Sequence, residues 1–583
     1  MTSVIAPRVR RRRILARIGI VIGSVAVIGT AVAFNNLFAR PGEAALRLIP
    51  SNALVIGSAD LSPAPNQTLV FKKIDEALTR NGLDKQIDGA MTDLVVQGPA
   101  AEKIRPYAKR GVAFAMLAPE KHGKDFNPEE SAVAFFAISD GPAVSKIIKE
   151  HGKPMFWRGT RYHQIQNEGP GLMVVEDLLV VGMGNVLHQV ELVAEGKQDS
   201  ILERPDFITE QAKIDSDSNL KVFMAPEAWA TFAKDAPKEA QEMLVSQKWI
   251  GVGLAIRDGG IAVSFNGQYD AEKAKWLQPL SAMAPIRSDL MDILPSGAYG
   301  FTALSQPSKY FESFELAMGK DNDGRKMIAD LEKDLSREMN LSVRKDILPA
   351  FQGNAVIGIY PGQSSTDPAG VDVLLVIDDQ QGSQAAALAE RLRERLEQEI
   401  QEGSAEPAFE VKVDGDVKRY TLAGEAAAEF QDGIAEGMGD GGAVRGDVLA
   451  KDKTITWALI GQTVVASSSA KLLDRAIASL KTREHGLETD SLWQGRSKDL
   501  VNGQQTLVAF NIARMVEGFQ NSIDMKKWGE DGKCVQEVMD ALKGLNEPFA
   551  VKSATANGKL SMGLFIPMEY DRMIDLIGQS IED

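Results

Sequence analysis

The sequence has few of the residues that most often carry out catalysis or bind metals. Its 583 residues include one cysteine, Cys534, and five histidines. A lone cysteine cannot form an internal disulfide, and no histidine near it supplies the base that a nucleophilic thiolate requires. We therefore interpret Cys534 as a small apolar residue of a helix that packs near the core. The histidines lie at positions 122, 151, 163, 188 and 485 and are not spaced as metal ligands.

Sequence motifs of catalysis are absent or incomplete. No Walker loop, G-x-S-x-G or H-E-x-x-H occurs. The stretch GMGNVL begins at Gly182 like a dinucleotide fingerprint, but Leu187 stands in place of its third glycine. Ser468 and Lys471 fit the Ser-x-x-Lys pattern without its companion motifs, and a serine at this place is better interpreted as a helix N-cap. The sequence thus predicts no catalytic residue and no cofactor.

Two acidic stretches are the remaining candidates for metal binding. DSDSNL, from Asp215, alternates oxygen ligands as a calcium loop does, but Leu220 replaces the required glycine and Pro226 the glutamate at the twelfth place. DNDG, from Asp321, lacks the later ligands. We interpret both as solvated acidic loops, with a weak calcium site as the alternative, and predict no metal site.

Acidic residues outnumber basic ones outside the N-terminus. The net charge is −15, yet the first 40 residues contain seven arginines and neither lysine nor acidic residues, so the remainder carries −22. An acidic surface repels nucleic acids and anionic membranes at long range. Aromatic residues make up 6% of the chain, which leaves no obvious stacking platform for sugars or single strands. We therefore predict no nucleic-acid partner.

An uncharged, mostly apolar run occupies residues 18–34 and extends to Phe38. We predict a basic cytoplasmic segment at 1–17 and a transmembrane anchor at 18–38, because about 17 to 25 apolar residues span a bilayer. Arginines before the run favour a cytoplasmic N-terminus and an extracytoplasmic body. The alternative is a signal peptide cleaved after Ala33, at an A-x-A pattern, which would release an exported soluble form.

Four sequence patterns occur twice, in the same order. The stretch LIPSNALVIG, from Leu48, returns as ILPSGAYGF, from Ile293. The separations are 245 residues for Pro50 and Pro295, 243 for Pro106 and Pro349, 285 for Asp177 and Gln462, and 299 for Gly259 and Gly558. We predict an internal duplication with a first repeat at residues 44–288 and a second at 289–583. The larger separation after Pro349 predicts an insertion near 422–453, a flexible glycine-rich and acidic surface loop or, alternatively, a lid or partner-binding loop.

The order of elements within each half predicts an α+β fold. Strand-like runs follow one another through short turns, among them Asp258-Gly259 and Asn557-Gly558, dipeptides that suit type I′ hairpins. Helical stretches separate the strand pairs. This order favours mainly antiparallel sheet with helices packed against it over a doubly wound parallel sheet.

The duplicated plan resembles an uncharacterised bacterial family of membrane-anchored exported proteins, classified as a domain of unknown function. The resemblance rests on the basic start with one anchor, on LIPSNALVIGSADL and DILPSGAYGFTAL, on LLVVGMGNVLHQVELV followed by ILERPDF, and on LAIRDGGIAVSFNGQYD. It covers most of residues 44–583. The resemblance implies the architecture and the location, and it brings no activity or site residues.

We expect a membrane-tethered extracytoplasmic structural or binding protein of the cell envelope, a role that needs no catalysis. One alternative is a carrier of an apolar ligand such as lipid, in a groove of the duplicated sheets. Another is an envelope enzyme whose site forms at the seam of the two halves. The expected partners are the membrane, through one N-terminal helix, and envelope proteins or lipid.

Overall fold

A computed structural model describes most of the chain. The described residues are 41–60, 63–83, 99–119, 128–165, 169–232, 241, 244–318, 322–362, 371–378, 384–401, 409–422, 455–482, 486–494, 496–520 and 531–582. They form two compact units. Unit 1 comprises Met1–Gly267 and Tyr570–Asp583, and unit 2 comprises Gln268–Glu569.

The first ten strands build the sheet of unit 1. They are β1 (Ala53–Asp60), β2 (Ala108–Leu117), β3 (Ala132–Ile138), β4 (Lys153–Trp157), β5 (Thr160–Gln164), β6 (Gly171–Val175), β7 (Leu178–Gly182), β8 (Leu220–Met224), β9 (Gln247–Arg257) and β10 (Gly260–Tyr269). Their pairing order is β4-β5-β6-β7-β3-β2-β1-β8-β9-β10. Strand β1, buried along its whole length, is central because it pairs antiparallel with both β2 and β8.

Ten further strands build the sheet of unit 2. They are β11 (Gly300–Ser305), β12 (Asn354–Pro361), β13 (Val371–Asp378), β14 (Phe409–Asp414), β15 (Val417–Leu422), β16 (Thr456–Ile460), β17 (Thr463–Ser467), β18 (Thr506–Phe510), β19 (Phe549–Ala556) and β20 (Lys559–Pro567). Their pairing order is β14-β15-β16-β17-β13-β12-β11-β18-β19-β20, and every pair is antiparallel. This is the order of unit 1 with ten added to each strand number.

Eighteen labelled helices accompany the strands in the described residues. In unit 1 they are α1 (Pro41–Ala45), α2 (Thr68–Arg80), α3 (Pro99–Ile104), α4 (Pro128–Ser131), α5 (Gly141–His151), α6 (Gly184–Ala194), α7 (Pro205–Gln211) and α8 (Pro226–Phe232). In unit 2 they are α9 (Gln278–Ser281), α10 (Pro307–Met318), α11 (Asn322–Met339), α12 (Leu348–Ala350), α13 (Gln384–Gln401), α14 (Ala470–Thr482), α15 (Ser497–Val501), α16 (Ile512–Gln520) and α17 (Asp531–Lys543). The chain then returns to unit 1 as α18 (Tyr570–Glu582). The predicted α+β class with mainly antiparallel sheet is confirmed.

Local sequence explains where helices begin. Helix α5 starts after Asp140, whose carboxylate accepts the Ala143 N–H at 2.9 Å and so satisfies one of the free donors of the first turn. Val144 and Ile148, four residues apart, are its buried apolar face. Because both side chains lie on one face of α5 and are buried, this face holds the helix against the sheet.

Each unit has an aromatic cluster in its core. In unit 1, the Phe207 ring lies 5.1 Å from that of Phe223 and 5.6 Å from that of Trp249. In unit 2, Trp493 packs edge-on against Phe301 at 5.1 Å. Such tilted ring pairs add roughly 0.5–1.5 kcal/mol each beyond the burial of their area.

One of the two predicted type I′ turns is wrong. At Asn557-Gly558 both residues have positive φ, 50° and 71°, as type I′ requires. At Asp258-Gly259 only the glycine does, with φ 78°. The aspartate keeps the negative φ that residues with a side chain prefer, so this turn is of another type.

Three predicted segments fall outside the described residues. They are the basic segment at 1–17, the transmembrane anchor at 18–38 and residues 423–453 of the insertion. Within the described ranges, no helix combines the length and the apolar character that crossing a bilayer requires. The repeat boundaries at 44–288 and 289–583 stay a prediction.

Candidate functional site

A groove of about 720 Å³ lies in unit 2 beside helices α10 and α11. This volume is within the range of roughly 300–1,000 Å³ that is usual for small-ligand sites. Its apolar lining consists of Pro279, Phe311, Leu316, Ile328 and Ala329. These side chains give the groove a wall that can contact hydrocarbon.

Helix α10 is fixed to unit 2 by polar contacts outside the groove. The Ser308 N–H donates to Phe351 O at 3.1 Å, and the Ser313 hydroxyl donates to Trp276 O at 2.6 Å. Phe311 lies between these two attachment points and lines the groove. The groove wall formed by α10 is therefore held in place by hydrogen bonds that a ligand would not disturb.

Helix α11 forms the opposite wall and is anchored near its C-terminal end. Glu332 accepts the Ser342 hydroxyl at 2.7 Å and the backbone N–H of the next residue at 2.9 Å. One turn earlier, Ile328 lines the groove, while Met327 and Leu331 are exposed. An exposed apolar pair beside an apolar groove enlarges the surface available to a hydrocarbon chain.

Charged side chains line the same groove. The lining carboxylates are Glu312, Glu315 and Glu332, and the lining guanidiniums are Arg325 and Arg344. Arg344 donates to Glu315 at 2.6 Å, and Lys309, outside the lining, donates to Glu312 at 2.8 Å. Because a guanidinium presents several donors in one plane, Arg325 and Arg344 are suited to a carboxylate or phosphate. The groove thus combines apolar walls with charged groups of both signs, two guanidiniums and three carboxylates.

A second cavity, of about 420 Å³, lies in unit 1 beside the loop that precedes β1, and its lining is mostly polar. Arg204 is central to it. The guanidinium donates to Asp206 at 2.7 Å, to Ser51 O at 3.2 Å and to Glu227 at 3.3 Å. It also lies 5.0 Å from the centre of the Trp249 ring, a cation–π distance.

The carboxylate of Asp206 is strongly stabilised in its charged form. The hydrogen bond from Arg204 lowers its pKa to about 2, against the opposing effect of burial, and the Trp249 indole N–H adds a bond at 2.8 Å. A general acid or base requires a pKa near the working pH. Asp206 and Arg204 therefore form a structural ion pair and not a proton-transfer site.

The carboxylates of the acidic loop at Asp215 bind a basic side chain of the same protein. Arg257 donates to Asp215 at 3.0 Å and to Asp217 at 3.3 Å. Across the residues that the structure describes, no group of three or more His, Cys, Asp or Glu side chains could hold a metal ion. The second acidic stretch begins at Asp321, outside the described residues.

Close packing accounts for the glycines of GMGNVL. A Cβ at Gly182 would lie 2.7 Å from the side chain of Val186, and one at Gly184 would lie 2.9 Å from the Tyr162 hydroxyl. Real Cβ atoms do not approach other atoms so closely. Glycine is therefore needed here for the contact between strand and helix, independently of any nucleotide.

Serines at the start of α14 bind the backbone and neighbouring polar groups. The Ser469 hydroxyl accepts the Leu472 N–H at 3.4 Å, as an N-cap does. The Ser468 hydroxyl accepts the Val373 N–H at 2.9 Å and contacts Asp372 at 3.3 Å. The N-cap interpretation thus applies to Ser469, and Ser468 ties the helix start to β13.

The other singled-out residues lie apart from the groove. His163 is buried on β5, and burial, with the charges of Arg161 and Lys149, lowers its pKa. Cys534 belongs to helix α17, as the sequence predicts. Histidines 122 and 485 lie outside the described residues.

Sequence reasoning missed both walls of the groove. The run from Met327 to Leu335 carried the available signal, because its apolar residues recur at helical spacing between charged ones. That pattern predicts an amphipathic helix, but it does not say which neighbour its apolar face meets.

The sequence of this chain matches a known family. Residues 14–406, more than half of the chain, match the family model described as "Protein of unknown function (DUF3352)". The chain belongs to the DUF3352 family. The resemblance to a family classified as a domain of unknown function is therefore confirmed. No curated protein matches this DUF3352 chain.

Solved structures with partial similarity are crystal forms of TP0453. Form I is 13% identical, with a TM-score of 0.22 over 38% of this chain and 77% of that chain. Form IV is 13% identical, with a TM-score of 0.23 over 41% of this chain and 86% of that chain. Likeness at this level carries no argument about the DUF3352 chain.

Proposed function

We propose that this DUF3352 chain is a membrane-tethered binding protein of the bacterial cell envelope. Residues 18–38 would be its single anchor, with residues 1–17 in the cytoplasm and the two units outside it. The uncharged run after a cluster of arginines supports this orientation. The proposed form released by cleavage after Ala33 would leave both units unchanged.

The proposed ligand is an amphiphile with an apolar chain and a zwitterionic head. The single observation that carries this proposal is the groove of about 720 Å³ with apolar walls, two arginines and three glutamates. Helices α10 and α11 form its walls, whereas the alternative drawn from the sequence placed the groove on the duplicated sheets. The hydrocarbon would contact Phe311 and Ile328. The anionic part of the head would meet the two arginines, and its cationic part would meet the glutamates.

We attribute the two units to duplication of one ancestral α+β segment. The recurrence of the pairing order across ten strands supports this origin. The matching isolated bridges Pro50–Ser200 and Pro295–Gly486 support it too. A duplicated body would allow one unit to specialise in binding while the other keeps a stabilising role.

The test is native mass spectrometry of the full chain, with lipid extraction from the same sample. We expect a stoichiometric amphiphile in the wild type. Ala329→Trp places a large ring in the groove and should reduce the bound fraction at least tenfold. Lys333→Trp, one turn along α11 and outside the groove lining, is the matched control and should retain the ligand. A ligand-free wild type would refute the proposal.

A further inference from the structure

The hairpin of β4 and β5 in unit 1 exposes large apolar side chains. Met155 is 38% exposed, Phe156 66% and Trp157 43%. All five residues of β4 are exposed, and among the described residues β4 pairs with β5 alone. Adjacent exposed apolar residues of this size mark an interaction surface.

The hairpin is a rigid support for these side chains. Its two-residue turn, Arg158-Gly159, has φ values of 48° and 94°, which fit the twist of the strands. Directly after the turn, the Thr160 hydroxyl donates to Glu191 and lies 2.8 Å from His188 Nδ1, and both partners belong to α6. The exposed side chains therefore keep a defined orientation.

The charge of the hairpin is opposite to that of the protein. Residues 153–164 include Lys153, Arg158 and Arg161 and no acidic residue, whereas the whole chain carries −15. All three basic residues are exposed. Phe156 stands opposite Arg161 in the strand register, so an apolar and a basic side chain share one face.

The corresponding hairpin of unit 2, β14 and β15, has no such character. Residues 409–422 contain three basic and three acidic residues. Its exposed apolar residues are Val411 and Val413, neither of them aromatic. Charge and aromatic content therefore distinguish two hairpins that occupy the same place in the pairing order.

Addition of a partner strand to β4 is disfavoured. Pro154 has no N–H to offer to a neighbouring strand, and proline on an edge strand blocks such pairing. A planar surface with negative charge fits better, because Trp and basic residues are the side chains that favour the headgroup region of a bilayer.

We infer that the hairpin Lys153–Gln164 docks on the surface of an anionic lipid bilayer. Phe156 and Trp157 would enter the headgroup region, and Lys153, Arg158 and Arg161 would meet the lipid phosphates. The charge of the hairpin complements such a surface, while the acidic remainder is repelled from it. This contact is separate from the groove and needs no bound ligand.

The test is quenching of tryptophan fluorescence in the full chain, reconstituted with vesicles that carry bromine on their acyl chains. One set of vesicles is phosphatidylcholine alone, and the other contains phosphatidylglycerol as well. The difference in quenching between wild type and Trp157→Phe reports on position 157. We expect this difference with the anionic vesicles only. The double variant Arg158→Gln/Arg161→Gln removes both arginines. It should lower the equilibrium constant for docking about 25-fold, at about fivefold per charge.

The matched control, Trp157→Phe/Val413→Trp, moves the tryptophan to the hairpin of β14 and β15. It should show no lipid-dependent quenching. Equal quenching at positions 157 and 413, or equal quenching in both lipid mixtures, would overturn the inference. So would self-association without lipid that Phe156→Ser abolishes, because the hairpin would then bind protein. Loss of the groove ligand in mass spectrometry would leave this result unaffected.

Discussion

At the residue scale, an arginine holds the loop before the first strand of each unit, and unit 2 adds a carboxylate. In unit 1, Arg204 donates to Ser51 O in the loop before the first strand. In unit 2, Asp490 accepts the Gly297 N–H at 2.7 Å in the corresponding loop. Arg514 balances this carboxylate with bonds of 2.5 and 3.0 Å. Arg475 also donates to Ser296 O in this loop. Both loops are therefore held by an arginine, and Asp490 is an additional support in unit 2.

Replacement of Asp490 by alanine should destabilise unit 2 by about 3 kcal/mol, because it leaves Arg514 and two backbone N–H groups without their buried partner. The Asp490 side chain is only 4% exposed. Urea denaturation measures the change. Asp414→Ala is the control, since its side chain is 96% exposed and 4.0 Å from Lys481, and it should cost less than about 0.5 kcal/mol. Similar costs for the two variants would contradict the assigned role of Asp490.

The ion pair of Asp206 predicts a loss of stability in acid. Its folded pKa of about 2 lies below the unfolded value of about 3.9. A lowered folded pKa contributes stability above the unfolded pKa, and this contribution is lost as the pH falls from about 4 to about 2. Denaturation of wild type and Asp206→Asn should therefore show a difference that shrinks across this range. A difference that does not vary with pH would count against the pair.

At the element scale, helix α18 covers the apolar face of α2 in unit 1. Val70, Ile74 and Leu78 of α2 are buried with Tyr570 and Ile574 of α18 around them. The two helices approach closely, because glycine occupies position 578 of α18. The contact joins elements that no local sequence pattern links.

Gly578→Val should loosen this helix pair. A Cβ at Gly578 would lie 2.4 Å from Asn81 Oδ1, and Asn81 is held by bonds to Ala77 O and Asp575. Hydrogen exchange across Thr68–Arg80 should accelerate about tenfold or more. Met573→Val changes an exposed side chain of the same helix and should leave the exchange near that of the wild type. Unchanged exchange in Gly578→Val would mean that close packing at position 578 does not protect α2.

Local sequence patterns predicted the strands and helices better than they predicted which of these elements pair or pack with one another. Short turns and alternating apolar residues indicated antiparallel hairpins such as β19–β20, and the structure has them. The pairing of β1 with β8 joins residues more than 150 positions apart, and burial in a shared core decides it. The groove escaped prediction for the same reason, since Phe311 and Ile328 meet across two helices that the sequence treats separately.

At the scale of the whole molecule, charge is distributed unevenly. The chain carries −15, yet the hairpin Lys153–Gln164 is basic and its counterpart at 409–422 is balanced. Repulsion of the acidic remainder and attraction of one hairpin would together orient unit 1 at an anionic surface. The proposed anchor and the proposed docking hairpin would then act on the same membrane.

The return of the chain to unit 1 has a consequence for biosynthesis. The residues Arg80 and Asp575, which join α2 to α18, are separated by 495 positions. A ribosome makes α2 early and α18 only after all of unit 2. During synthesis the apolar face of α2 therefore stays without α18 until residues 570–582 have emerged. During that interval a chaperone that shields apolar helix surfaces would find its substrate in the part of the chain that was made first.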